Sequence, residues 1–326
     1  MLFDPPKLRG DATDSLSQAN KPGRVILIHT GVVLLATLLL SIADFLLSQL
    51  ISNTGGLNGM ATRSILTTIQ SLLRLAQIIA IPFWQIGYTY YTLKVARGAP
   101  TRLTDLTEGF RRFGPVLRLK ALMAGMLFLL MMVSSYAGSI LFMMTPWATP
   151  VLREMEALLA TNPSEAELME AFTVIANDAS VPILIICGLC FLAGGIFLFF
   201  RFRLADLWLM AHPDSGALAA LRNSKKAMQG NWKAMFHIDL GFWWFYLLEL
   251  LVSVLCYGDR FMGLFGLEMT NDAFSHYLIF FSLYVWAHMA LYWWKRNEVA
   301  VTYAHAYLTL CPDPVETKEE EKNPVL

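Results

Sequence analysis

Residues Val25–Ile51 read VILIHTGVVLLATLLLSIADFLLSQLI, an apolar block that carries one formal charge, Asp44. A helix rises about 1.5 Å per residue and the hydrocarbon core of a bilayer is about 30 Å thick, so roughly 20 mostly apolar residues cross it. This block exceeds that length. Arg24 bounds it on one side, and the breakers Ser52-Asn53-Thr54-Gly55-Gly56 end it on the other. Comparable blocks recur along the chain. Together they predict six spans, at about 25–51, 64–96, 116–144, 181–210, 234–256 and 276–308.

In lipid, only helices and closed barrels satisfy every backbone N–H and C=O. Runs of this length without two-residue alternation exclude a barrel. The predicted fold class is all-α, a polytopic six-helix transmembrane bundle. Span two contains Pro82, which removes one backbone hydrogen bond and predicts a kink. That span is longer than one crossing, so it either tilts or projects beyond the bilayer.

Composition agrees with this reading. Of 326 residues, 56% are hydrophobic and 15% charged, too few charges to coat a soluble surface of this size, for which about 25% is usual. The 25 basic and 25 acidic residues cancel, which gives no reason to expect nucleic acid as a partner. The first 24 residues are polar and contain prolines, and the apolar run after them lacks a small-residue cleavage site, so it is expected to be retained as a helix.

The distribution of Lys and Arg sets the expected orientation, because cytoplasmic loops collect them. With the N-terminus inside, cytoplasmic segments and span ends hold 21 of the 25 basic residues; Arg63, Arg153 and Arg260 fall outside, and Arg74 lies within span two. The expectation is a protein of the cytoplasmic membrane with both termini on the cytoplasmic side. Residues 1–24 form a polar N-terminus, 25–310 the membrane domain, and 311–326 a charged, disordered tail. Segment 149–180 is expected to form two short acidic helices outside the hydrocarbon. One starts at Thr149-Pro150, with Pro at the first helical position; the other starts at the capping box Ser164-Glu165-Ala166-Glu167.

The first and second cytoplasmic loops share a pattern 115 residues apart: Leu103 matches Leu218, Leu106 matches Leu221, Phe113 matches Met228 and Arg118 matches Lys233, while Phe110 against Lys225 breaks it. Leu103, Leu106, Phe110 and Phe113 would form one apolar face of a helix lying on the membrane. The pattern points to three tandem helix hairpins joined by amphipathic helices.

The same loops carry a resemblance. Within Gly87–Gly114 stand Arg97-Gly98, Leu103, Asp105-Leu106 and Gly109-Phe110-Arg111-Arg112-Phe113. Further on come Phe202-Arg203-Leu204-Ala205, the run Ala217–Lys233 with Ser224-Lys225-Lys226 and Met228-Gln229-Gly230-Asn231-Trp232-Lys233, and the ending Val301–Leu308. Together they are similar to a bacterial integral-membrane family catalogued as domain of unknown function 975. The likeness spans roughly residues 24–310. It implies a multi-pass membrane protein and no established activity. The chain departs from that pattern in three places: no N-terminal basic helix is apparent in residues 1–24, segment 149–180 has no counterpart, and the loop 257–275 is long.

Charged residues inside spans are costly and mark candidate sites. Asp44 and Arg74 lie at comparable depth in the first hairpin, and Glu249 in span five could complete a polar cluster with them. Such a set either fixes helix packing or couples to a substrate. A second candidate cluster lies at the cytoplasmic face: Arg201, Arg203, Asp206, Asp239, Lys295 and Arg296. Snorkelling explains its cations, and an anionic headgroup site is the alternative. Asp206 and Asp239 point to pairing between helices.

Catalytic and cofactor signatures are missing from the sequence. Cys187 and Cys190 form a CxxC inside an apolar run, where inert thiols are expected rather than a redox or metal pair. His237 and Asp239 are two apart and point to different sides of a helix, and no HExxH, GxSxG or GxxxxGK[ST] occurs. Neither metal nor cofactor is expected. Membrane lipids and a membrane-protein partner are the expected contacts. The reading reached is a non-enzymatic scaffold or accessory membrane component. A small-molecule or lipid transporter is the alternative, and a lipid-directed enzyme comes third.

Overall fold

The computed structural model describes residues 4–53, 59–160, 165–255 and 273–311, and every regular element among them is helical. Four segments are long and apolar enough to cross a membrane: Pro22–Ser52, Thr62–Ala96, Phe113–Met143 and Val181–Ala211. A fifth qualifies if Trp232–Gly241 and Trp243–Val254, bent by 65° at their junction, form one broken span. The expected sixth span is helical in three pieces: α12 (Ala273–Leu291), a π-helical turn (Tyr292–Arg296) and α13 (Asn297–Leu310).

The chain divides into two compact units, residues 1–117 with 204–326, and residues 118–203. The first unit opens with a helix that the sequence reading did not find, α1 (Pro5–Gln18). Prolines at its first positions pre-set the backbone, while Leu8 and Ala12, four apart, are buried on one face. Leu16 continues that face against a core of Val25, Ile26, Tyr88, Tyr91, Val95, Leu106 and Val301.

Helices α2 (Pro22–Asn53) and α3 (Gly59–Ala96) pack antiparallel, as His29 against Trp84 and Tyr88, and Asp44 against Arg74, require. Helix α3 ends in a left-handed Gly98 (φ 64°), whose N–H bonds the Val95 carbonyl while the Ala99 N–H bonds that of Lys94. Glycine fills that conformation without a Cβ clash. The last turns of α3 project into a packed core: Phe83, Ile86, Tyr88, Tyr91, Leu93 and Val95 are all buried.

Residues 103–113 do not form the single surface helix expected of them. A 3-10 turn (Leu103–Thr107) and a four-residue helix, α4 (Glu108–Arg111), cross α3 at close range. A Cβ at Gly87 would sit 1.8 Å from the Leu106 carbonyl oxygen, and one at Gly109 would sit 2.0 Å from that of Phe83. Contact this close locks the segment against the helix. Leu106 is buried, Phe110 and Phe113 stack on Phe83, and Leu103 stays exposed. Asp105 completes the attachment by pairing with Lys94 at 3.0 Å and accepting the Arg102 backbone N–H at 2.7 Å.

The second loop solves the same problem with a longer element. After α8 (Ala205–Ala211), helix α9 (Ala217–Met228) buries Ala220, Leu221, Ser224 and Met228 and exposes Arg222, Lys225 and Lys226. The Ser224 hydroxyl accepts the Leu204 N–H at 3.2 Å, tying the two helices together. Leu221 is thus buried like Leu106, whereas Met228 is buried and its counterpart Phe113 is half exposed. Helices α10 (Trp232–Gly241) and α11 (Trp243–Leu255) follow, and α11 meets the π turn after α12 through Glu249 with Tyr292 and Trp244 with Trp294.

In the second unit, the main body of α5 (Phe113–Met143) packs antiparallel to α7 (Glu165–Phe202). Gly138 lies against Cys187 and Gly194 against Leu130, so small residues let the helices approach. Phe142, Ile183 and Ile186 join α6 (Ala148–Ala160) in a small apolar cluster. The first expected acidic helix is thus present as α6. The second does not stand apart, because α7 runs unbroken into the predicted span. Residues 165–180 contain neither Gly nor Pro, so nothing there ends the helix. The Ser164 capping box, the loop 257–272, Cys256 and the tail 312–326 lie outside the described residues.

Candidate site around Arg296

A partly buried polar cluster of the first unit is built where α12 passes through its π turn into α13. Such a turn inserts one extra residue into the helix, and π turns recur at functional positions. His288, Tyr292 and Arg296 follow one another at four-residue spacing across it. The Tyr292 ring lies 3.9 Å from that of His288, and the Arg296 guanidinium stands over Tyr292 at 5.2 Å. The Tyr292 hydroxyl donates to the Glu249 carboxylate. Tyr88, Tyr246 and Glu249 lie within electrostatic reach of Arg296.

A ring of neighbours fixes these groups. The Tyr88 hydroxyl donates to Asn297 Oδ1 at 2.7 Å, and Asn297 Nδ2 donates to the Pro22 carbonyl at 2.9 Å. One buried amide thereby joins α2, α3 and α13. His29 stacks on Tyr88 at 4.4 Å, and its carbonyl accepts the Trp84 indole N–H. Among the described residues the Arg296 guanidinium has neither a hydrogen bond nor an ion pair, and His29 Nδ1, Thr30 Oγ1 and His288 Nδ1 are buried without a partner. A desolvated donor or acceptor left unmade costs about 1–3 kcal/mol, a cost that applies to the buried His29, Thr30 and His288 atoms.

The neighbouring charges are better satisfied. Lys295 pairs with Glu298, which also faces Arg9 of α1 at 3.6 Å. Arg9 lies over Phe242 at 4.6 Å and reaches the Gly241 carbonyl. Asp239 accepts the Tyr303 hydroxyl, which also bonds Tyr246 at 2.6 Å. His305 bonds Ser15 at 3.0 Å. These contacts clamp α1 across α13 and the α10–α11 bend.

Of the sequence candidates, the structure brings Asp44 and Arg74 together in a two-point pair, both contacts 2.9 Å, and Gln70 donates to the same carboxylate at 2.8 Å. Glu249 does not join them. The 65° bend after Gly241 restarts the helix at Trp243, so Glu249 falls only two turns beyond the bend and beside Tyr292. The residues of the second predicted cluster are drawn from both units. Asp206, Asp239, Lys295 and Arg296 belong to the first unit; Arg201 and Arg203 belong to the second, over Phe197 and Phe199. Sequence reasoning missed His29, Tyr88, Tyr292 and Asn297. The four-residue spacing of His288, Tyr292 and Arg296 was the available signal.

Fold and site together define an all-α protein with several helices apolar enough to span a membrane and a polar cluster near one end of them. The chain belongs to the family described as protein of unknown function DUF975, whose model matches residues 26–293. None of the curated proteins and none of the solved structures compared with the chain matches it.

Proposed function

We propose that this chain is a six-span protein of the bacterial cytoplasmic membrane, with both termini inside, that works as a non-enzymatic scaffold or accessory component. One observation carries the reading. The best-packed part of the first unit is the end rich in Lys and Arg, where α1, the last turns of α3, α8, α9 and α13 share a core and α9 turns Arg222, Lys225 and Lys226 outward. A rigid base with a charged outer face suits docking of a membrane-associated partner.

The test is cross-linking and affinity purification from native membranes, with wild type compared to Arg222→Glu, Lys225→Glu and Lys226→Glu combined. A reproducible partner lost in the triple variant is expected. Equal recovery with both proteins, or no specific partner with either, removes the scaffold reading.

A transporter for a small anionic solute or lipid is the second reading, and the Arg296 cluster supports it. An arginine without a hydrogen bond, next to a tyrosine-held carboxylate and unpartnered histidine nitrogens, is chemistry that a carboxylate or phosphate could satisfy. A solute that raises the melting temperature of the wild type and not of Arg296→Gln would favour transport.

A further inference from the structure

The junction between α1 and α2 faces the first loop across a cleft of about 450 Å³, within the roughly 300–1,000 Å³ usual for small-ligand sites. Its polar lining is Asn20, Lys21, Arg24, Thr101, Arg102 and Thr104. Three of these are cations, three are neutral hydrogen-bonding groups, and none is acidic. Among the described residues the side chains of Lys21, Arg24 and Arg102 have no ion-pair partner. The closest acid in sequence, Asp105, is already engaged by Lys94 and by the Arg102 backbone N–H. The positive charge of the cleft is therefore left uncompensated.

Two further features favour an anion here. The cleft opens at the start of α2, a 32-residue helix whose N-terminal end carries partial positive charge. Lys21 also holds a left-handed backbone, φ 50°, a conformation that costs a non-glycine residue about 1–2 kcal/mol and that Gly or Asn would fill more easily. A lysine kept in a glycine-like position is worth its strain if the side chain has a task.

We infer that this cleft binds a phosphate group, with Lys21, Arg24 and Arg102 as its cations and Thr101, Thr104 and Asn20 as neutral donors. Arginine and lysine around a phosphate make charge-assisted hydrogen bonds. The phosphate comes from either an anionic phospholipid headgroup or a soluble phosphate. The inference holds under both functional readings, because neither uses these residues.

The test uses the full chain in non-ionic micelles, titrated by calorimetry with short-chain phosphatidylglycerol, short-chain phosphatidylcholine and inorganic phosphate. Each cation near a membrane surface contributes about fivefold in affinity for an anion. The combined Lys21→Gly, Arg24→Gln, Arg102→Gln variant should therefore bind about 100-fold more weakly, while Lys21→Arg with Arg24→Lys stays within about twofold of wild type. Phosphatidylglycerol binding lost in the triple variant identifies a lipid headgroup site; inorganic phosphate binding lost in the same way identifies a soluble one. Binding equal in wild type and triple variant, or none above phosphatidylcholine with either probe, overturns the proposal. A triple variant that melts no lower than wild type is folded, as expected because Lys21→Gly relieves the left-handed strain, so its loss of binding reports the site.

Discussion

The two ends of the α2–α3 pair make opposite use of similar material. Toward Arg24 and Lys94, the helices bury Ile26, Phe83, Ile86, Tyr91 and Leu93 under α1, the first loop and α13. Toward Asn53 and Gly59, Leu46, Leu50, Ile65, Ile69 and Leu72 remain exposed within the chain. Each end has an ion pair between side chains. Lys94–Asp105 is largely enclosed, with 21% and 11% of the side chains exposed, whereas Arg74–Asp44 is open, at 61% and 35%. Apolar content does not separate the two ends. What marks the packed end is backbone approach: Gly87 and Gly109 let a loop lie directly on α3 near Lys94.

Substitutions can break this contrast, and the largest effect is expected at the glycines. Gly87→Ala places a methyl 1.8 Å from the Leu106 carbonyl oxygen, so backbone must move; a loss of about 3 kcal/mol is expected from equilibrium unfolding in mixed micelles. Gly125→Ala, where nothing lies within 4 Å of the added carbon, is the control and should not destabilise. Asp105→Asn removes the charge that pairs with partly buried Lys94 and leaves one oxygen where two served Lys94 and the Arg102 N–H. About 2 kcal/mol should be lost in the same assay.

Tyr88→Phe leaves Asn297 Oδ1 without its donor inside the core, and about 1 kcal/mol is expected. The smallest effect belongs to Asp44→Asn and Arg74→Gln, because exposed pairs contribute little. Each should lower stability slightly, with the double variant recovering part of the loss. A coupling at this pair as large as the Asp105 effect would show that the open end is held as tightly as the packed one.

Much of the fold was legible because the period and length of apolar runs are strong signals. Helices α2, α3, α5 and α7 lie on predicted spans, and the comparable depths of Asp44 and Arg74 in one hairpin pointed to their contact. Helix α1 escaped because its buried face is only Leu8, Ala12 and Leu16 in an otherwise polar run, and its partner α13 lies almost 300 residues away. Glu249 was assigned to the Asp44 set because depth was counted along a straight helix; the bend after Gly241 resets that count. The Arg296 cluster gathers residues from five helices and the π turn, and helix rotation decides which of them meet. A one-dimensional pattern does not contain that rotation.

The topology proposed for this chain turns its packed, Lys- and Arg-rich end toward the cytoplasm. Labelling with a membrane-impermeant maleimide tests it most directly, on a background with Cys187, Cys190, Cys256 and Cys311 replaced by alanine. The account predicts that Asp214→Cys, in the exposed turn before α9, reacts in inverted vesicles and not in intact cells, and that Ser52→Cys, at the far end of α2, does the reverse. Reaction of Asp214→Cys in intact cells would contradict it.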